Sequence, residues 1–222
     1  MGVTTDVAKM PDVEALAQRT LDKFGAVHLV CNNAGVGGIR TRVWEARLED
    51  WQWVLGVNVM GVIHGVRAFT PIMLKQNEDC NMVNTASVAG LLSPSGMSVY
   101  NVSKHAVVTL SETMYQDLAL AKARLKVSVL CPAFVPTGIW NSGRNRPADL
   151  AAGIDLEEEK RRAAEVKAVL DKGKVSAADV ADMVFAAVVE DRFYILTHPK
   201  IKVVIETRMQ DILNERNPTF TN

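Results

Sequence analysis

The stretch Val27-His-Leu-Val-Cys-Asn-Asn-Ala-Gly35 reads as a short strand that ends abruptly in a turn. Val27 to Cys31 is apolar, rich in β-formers and of strand length, whereas two asparagines and a glycine favour a tight turn. Runs of the same kind recur at Met82 to Ala86, Val127 to Cys131 and Phe193 to Leu196, and Gly2 to Thr5 is a candidate for another. Between them, periodicity near 3.6 predicts helices over Asp12–Phe24, Glu49–Lys75, Val99–Ala123, Glu157–Leu170, Ala177–Val189 and Ile201–Leu213. Ser176 followed by Asp179 has capping-box spacing for the fifth of these. Strands alternating with helices imply parallel βαβ units, hence an α/β fold whose doubly wound sheet is covered on both faces.

Two stretches break the rhythm. Gly56, Gly61 and Gly65 interrupt the second helix, each costing up to about 1 kcal/mol relative to alanine; close packing or a kink would account for them. Ala133 to Leu150 holds Pro136, Gly138, Gly143 and Pro147 and reads as a long loop after a strand end, where ligands bind in open α/β sheets. With no repeat or linker, residues 1–222 read as one domain.

Composition narrows the function. Lysine plus arginine and aspartate plus glutamate are 25 each, so the formal net charge is zero and no broad positive field exists for nucleic acid. Cys31, Cys80 and Cys131 are odd in number and lack metal-type spacing, which points to core thiols and a reducing, cytoplasmic setting. His28, His64, His105 and His198 share no ligand-like spacing, so no metal site is expected. No secretory stretch is visible, and no apolar run is expected to cross a bilayer.

The strongest chemical signal is Tyr100-Asn-Val-Ser-Lys104. Spacing i to i+4 puts phenol and ammonium on one helical face, where the cation would lower the tyrosine pKa from about 10 and fit it for acid/base work. The plainer alternative is an exposed tyrosine beside a solvated lysine. Ser87 lies just beyond the Met82–Ala86 run, as Asn33-Ala34-Gly35 lies beyond Val27–Cys31, so both emerge at carboxyl ends of strands. The alternatives are a turn or helix-cap serine and a simple tight turn.

Asn33-Ala34-Gly35, Asn58, Ser87, Tyr100 with Lys104, and Pro132-Ala-Phe-Val-Pro-Thr137 together resemble, in order, the short-chain dehydrogenase/reductase family, with its Rossmann-like sheet. The resemblance runs from about Thr5 to Leu196. It implies that Tyr100 is the general acid/base, that Lys104 tunes it and bonds a nicotinamide ribose, and that Ser87 orients the substrate oxygen. Asn58 would hold a relay water. Asn33, Ala34 and Gly35 would line the cofactor, Asp6 and Val7 would flank its adenine, and Pro132, Val135 and Thr137 would meet its nicotinamide end. Asp6 reads equally well as a helix-start aspartate. Trp140 would line a substrate lid or simply pack the loop. The implied cofactor is NAD or NADP, the implied substrate a small alcohol or carbonyl, and the implied assembly a homodimer or homotetramer.

Two departures qualify the resemblance. Ala133 stands where the family usually has glycine, and the glycine-rich turn that grips the dinucleotide phosphates is missing. The family's first two strands and helices are therefore expected to be absent, leaving Val27–Cys31 with an open edge. A start placed too far downstream, a natural short product, or a sheet with Gly2–Thr5 moved beside Val27–Cys31 would each explain this. Three activities follow: hydride transfer at a secondary alcohol, no catalysis in a chain that folds or oligomerises without cofactor, or another reaction such as epimerisation or dehydration on the same scaffold.

Overall fold

The computed structural model describes residues 1–153 and 155–219; Ile154 and residues 220–222, within the expected domain, lie outside the described residues. Helix α1 (Met10–Phe24) precedes strand β1 (Leu29–Asn32). A long helix follows in three parts: α2 (Leu48–Leu55), a π-helical turn (Gly56–Met60) and α3 (Gly61–Gln76). Next come β2 (Cys80–Thr85), a 3-10 turn (Val88–Gly90), α4 (Ser98–Leu120) and β3 (Leu125–Cys131). Two 3-10 segments (Gly138–Asn145 and Ala148–Leu150) lead to α5 (Leu156–Leu170), α6 (Ala177–Val189), β4 (Tyr194–Leu196) and α7 (Ile201–Leu213).

The four strands form one parallel sheet in the order β1-β2-β3-β4, with Val30 beside Met82, Met82 beside Val127, and Leu130 beside Ile195. Alternation along the strands sorts the core to two faces. Val30, Met82, Val127 and Leu125 pack with Val13 of α1, Phe69 and Met73 of α3, and Met114 and Leu118 of α4. Val83, Leu130 and Ile195 point the other way, against Ala187 of α6. This is a Rossmann-like α/β architecture, and it brings the carboxyl ends of β1, β2 and β3 to one edge.

The glycines of the long helix have distinct reasons. A Cβ on Gly65 would lie 2.0 Å from the Asn32 Oδ1, and one on Gly61 would lie 2.8 Å from a Val7 methyl. Both allow close packing, while Gly56 opens the π-helical turn that widens the helix around Asn58. The Ser176–Asp179 capping box forms as its spacing predicts.

Three expectations are corrected. Gly2 to Thr5 forms no strand and does not pair with β1; the chain instead turns at Asp6–Lys9, where His64 Nδ1 meets the Val7 carbonyl at 2.8 Å and ties that turn to α3. Cys131 is buried but Cys31 is exposed, because it faces the open side of β1. Leu48–Gln76 is, by length and composition, long and apolar enough to cross a membrane, with a mean hydropathy of 1.3 in its most apolar window. Here its apolarity serves the interior, since Val54, Val62, Phe69 and Met73 are buried.

Candidate active site

Parallel strands place the residues that follow them at a common rim, and three of the motifs meet there. Tyr100 and Lys104 sit in the first turns of α4, beside the turn after β2 that carries Ser87. Lys104 is 3% exposed, its Nζ donates to the Thr85 carbonyl at 2.9 Å, and it stands 5.6 Å from the centre of the Tyr100 ring. The Ser87 hydroxyl lies near the Tyr100 phenol, close enough to act on its protonation. It also accepts from the Ala89 amide at 3.2 Å and faces the Pro132 carbonyl at 3.3 Å, so it caps the 3-10 turn and touches the end of β3 as well. Ser87 is thus a turn-cap serine, placed beside the phenol.

Burial governs the electrostatics here. It pushes the Lys104 ammonium down to about 8 and raises the Tyr100 phenol above its ordinary value, with the Ser87 hydroxyl opposing that rise. The expectation that Lys104 lowers the tyrosine is therefore reversed in this structure. Desolvation disfavours both charged forms, and the ammonium is directed to Thr85 rather than to the phenol oxygen.

Asn58 is fully buried in the π-helical turn, and its side chain is committed. Its Oδ1 accepts from the Val36 amide at 2.8 Å; its Nδ2 donates to the Val36 carbonyl at 2.9 Å and to Ser103 Oγ at 3.0 Å. Ser103 in turn donates to the Tyr100 carbonyl at 2.7 Å. The side chain thus braces the stretch after the Asn33-Ala34-Gly35 turn against α4. Asn33 joins from the other side, with its Oδ1 accepting from Thr85 Oγ1 at 3.1 Å. A Cβ on Gly35 would lie 3.4 Å from Asn58 Oδ1 and 3.5 Å from Lys104 Nζ, so the glycine keeps open the space beside the buried ammonium.

The remaining candidates are more scattered. Val7, Asn33 and Ala34 share a groove of about 260 Å³ along the open side of β1. Asp6 does not line it and does not cap α1; its carboxylate accepts from the Ala8 amide at 3.1 Å in a turn ahead of that helix. Val135 is buried and Thr137 exposed at the start of the loop. The Trp140 ring lies under Lys167 of α5, 5.8 Å from its Nζ, which packs it within the loop and α5. Among the described residues no group of three or more His, Cys, Asp or Glu could hold a metal ion.

Sequence reasoning missed Thr85 and Ser103, which hold Lys104 and Asn58. Ser103 lies inside the quoted Tyr100–Lys104 motif, but nothing in that spacing shows that its hydroxyl faces Asn58. The rim as a whole brings a phenol, a hydroxyl and a buried cation close together, a set suited to moving a proton to or from an oxygen.

A family model described as short chain dehydrogenase matches residues 1–148. A CLA biosynthesis dehydrogenase/reductase of Lactiplantibacillus plantarum is 34% identical over 220 residues, covering 97% of this chain and 76% of that protein. A 1-deoxy-11-beta-hydroxypentalenate dehydrogenase of Streptomyces exfoliatus is 31% identical over 211 residues, covering 95% of this chain and 69% of its own. Among solved structures, a short chain dehydrogenase/reductase from Burkholderia phymatum in complex with NAD superposes with a TM-score of 0.95 at 51% identity, covering all of this chain and 79% of that one.

Proposed function

Because the chain belongs to the short-chain dehydrogenase family, we propose that it is an NAD(P)-dependent oxidoreductase that interconverts a secondary alcohol and its carbonyl. One observation carries this reading: the buried Lys104 ammonium lies 5.6 Å from the centre of the Tyr100 ring, at the rim where Ser87 follows β2.

The cofactor's nicotinamide–ribose end fits this rim. Lys104 uses one of its three donors on Thr85, and the missing Cβ of Gly35 leaves room at 3.5 Å for ribose hydroxyls. Asn33, Ala34 and Gly35 would line this end, Pro132, Val135 and Thr137 would border the nicotinamide, and Val7, with Asp6 beside it, would flank the adenine along the β1 groove. When bound, the nicotinamide accepts or supplies the hydride. In the oxidation direction Ser87 holds the substrate hydroxyl, and Tyr100, starting as the phenolate, takes its proton and becomes the phenol. The Lys104 ammonium, 5.6 Å from the ring centre, favours that starting phenolate against the burial that opposes it. Asn58 acts through its side-chain brace and offers its backbone to the relay water. In the reverse direction Tyr100 returns the proton to the carbonyl oxygen. Trp140 would border the substrate.

We further propose one domain across residues 1–222, a homodimer or homotetramer, and a cytoplasmic location. The alternative is a chain that folds or associates without dinucleotide and without catalysis. Tyr100→Phe separates the two. A panel of secondary alcohols with NAD or NADP should produce reduced nicotinamide with the parent chain, and the variant should fold equally well but give none. Turnover that survives in Tyr100→Phe would overturn the assignment.

A further inference from the structure

The loop between β3 and α5 is anchored in an unusual way. Its proline and glycine content suits a segment free to move, yet its far end carries Arg146, whose side chain is 2% exposed. Arg146 Nη2 stands 2.5 Å from Oδ1 of Asp50, itself 3% exposed, on α2. The same guanidinium stacks on the Trp53 ring at 4.3 Å and donates to the Leu150 carbonyl at 3.2 Å. Removing two charges from water is costly, and the cost is offset only while they remain paired. If the loop end lifted away, a bare carboxylate would remain against the Trp53, Val54 and Val99 cluster. The loop therefore has one favoured seat.

That seat is coupled to the rim at two further points. Ser142 Oγ accepts from the Gly37 amide at 3.0 Å, next to Val36, which Asn58 holds. The helix that carries Asp50 continues directly into the π-helical turn that carries Asn58. The loop itself leaves β3 at Pro132, whose carbonyl faces Ser87, and passes Trp140 before it reaches Arg146.

We propose that Arg146 and Asp50 form a positioning pair that fixes the 138–150 segment over the Ser87–Tyr100 rim and thereby sets which alcohols or carbonyls the site accepts. The proposal rests on the oxidoreductase reading for its substrate consequence, but its structural half stands alone. The pair acts through the shape of the pocket wall and touches no reacting atom.

Amide hydrogen exchange tests the structural half. In Arg146→Met and in Asp50→Asn, exchange across residues 138–150 should rise by about tenfold or more while β1, β2 and β3 keep their protection. Arg146→Lys, which keeps the charge but loses the planar fork, should fall between parent and Arg146→Met. The double variant Asp50→Asn/Arg146→Met should be no worse than either single change, because neither charge is stranded. Unchanged exchange in the loop, or an equal rise across the whole sheet, would overturn the proposal. Kinetics test the substrate half on any secondary alcohol the parent oxidises. KM should rise about tenfold in Arg146→Met with kcat within about twofold, as expected when substrate placement rather than chemistry is lost. A fall in kcat at constant KM would overturn it. A parent chain that turns over no alcohol would count against the oxidoreductase reading and leave the exchange result to decide the pair.

Discussion

Replacing Asn58 by leucine tests the brace at the centre of the site. The two side chains share a branched four-heavy-atom shape, so the change removes hydrogen bonds and leaves no cavity, although the bulkier methyls add some crowding. In the native structure Asn58 satisfies both the amide and the carbonyl of Val36, at 2.8 and 2.9 Å, and Val36 is buried. Leucine leaves both backbone groups unpaired. At about 1–3 kcal/mol for each buried unsatisfied group, the loss is about 2–6 kcal/mol. Ser103 adds little, because its hydroxyl keeps the Tyr100 carbonyl as a partner. Against a total of about 5–15 kcal/mol for a typical domain, Asn58→Leu should be strongly destabilised. Urea denaturation followed by circular dichroism reads the difference through the midpoint, with the slope unchanged. Ser103→Ala provides the scale, since it removes single bonds and should cost about 1 kcal/mol. If Asn58→Leu lies within about 0.5 kcal/mol of the parent, the brace contributes nothing and the reasoning fails.

Three further predictions use other parts of the structure. Gly65→Ala should cost about 1–3 kcal/mol or more, because its Cβ would press on the Asn32 amide, which also bonds Asn84 at 2.8 Å. Gly138→Ala, with nothing within 4 Å, should stay within about 0.5 kcal/mol, and thermal midpoints compare the two. The native Lys104 pKa of about 8 lies below the unfolded value of about 10.4, so the unfolded chain holds the extra proton in that window. Stability should therefore rise from pH 8 toward pH 10 in the parent, by up to about 3 kcal/mol, and this component should vanish in Lys104→Met; a flat difference between the two would refute it. The Tyr100 phenol is raised, so its contribution is present below its unfolded value of about 10 and is lost only above it, outside the compared window. Tyr100→Phe should leave the denaturation midpoint nearly unchanged while removing turnover, a separation that circular dichroism and reduced-nicotinamide absorbance detect together.

Local chemistry in the sequence explains what was legible. Helices α6 and α7 begin and end where periodicity and the Ser176 cap place them, because caps act within one turn. The strands were readable as apolar runs, and the interrupting glycines correctly marked a helix under packing pressure. The charge run on α5 pairs along one helix face, with Arg161 and Arg162 drawing Glu158 down to about 2. What escaped depends on burial and distance in sequence. The i to i+4 spacing of Tyr100 and Lys104 said nothing of desolvation, so it gave the wrong direction for the phenol. The Asp50–Arg146 pair joins residues far apart in the chain, and each alone looks like an ordinary surface charge. Gly2–Thr5 has strand composition but pairs with no strand, and the chain just after it is tied at Val7 to α3.

Titration of this chain with NADH and NADPH, followed by reduced-nicotinamide fluorescence, tests the central claim most directly. The account predicts a saturable signal with at least one of them, weakened in Lys104→Met, where the buried donor beside Gly35 is gone. A well-folded chain that gives no saturable signal with either nucleotide would contradict it and favour the reading without dinucleotide.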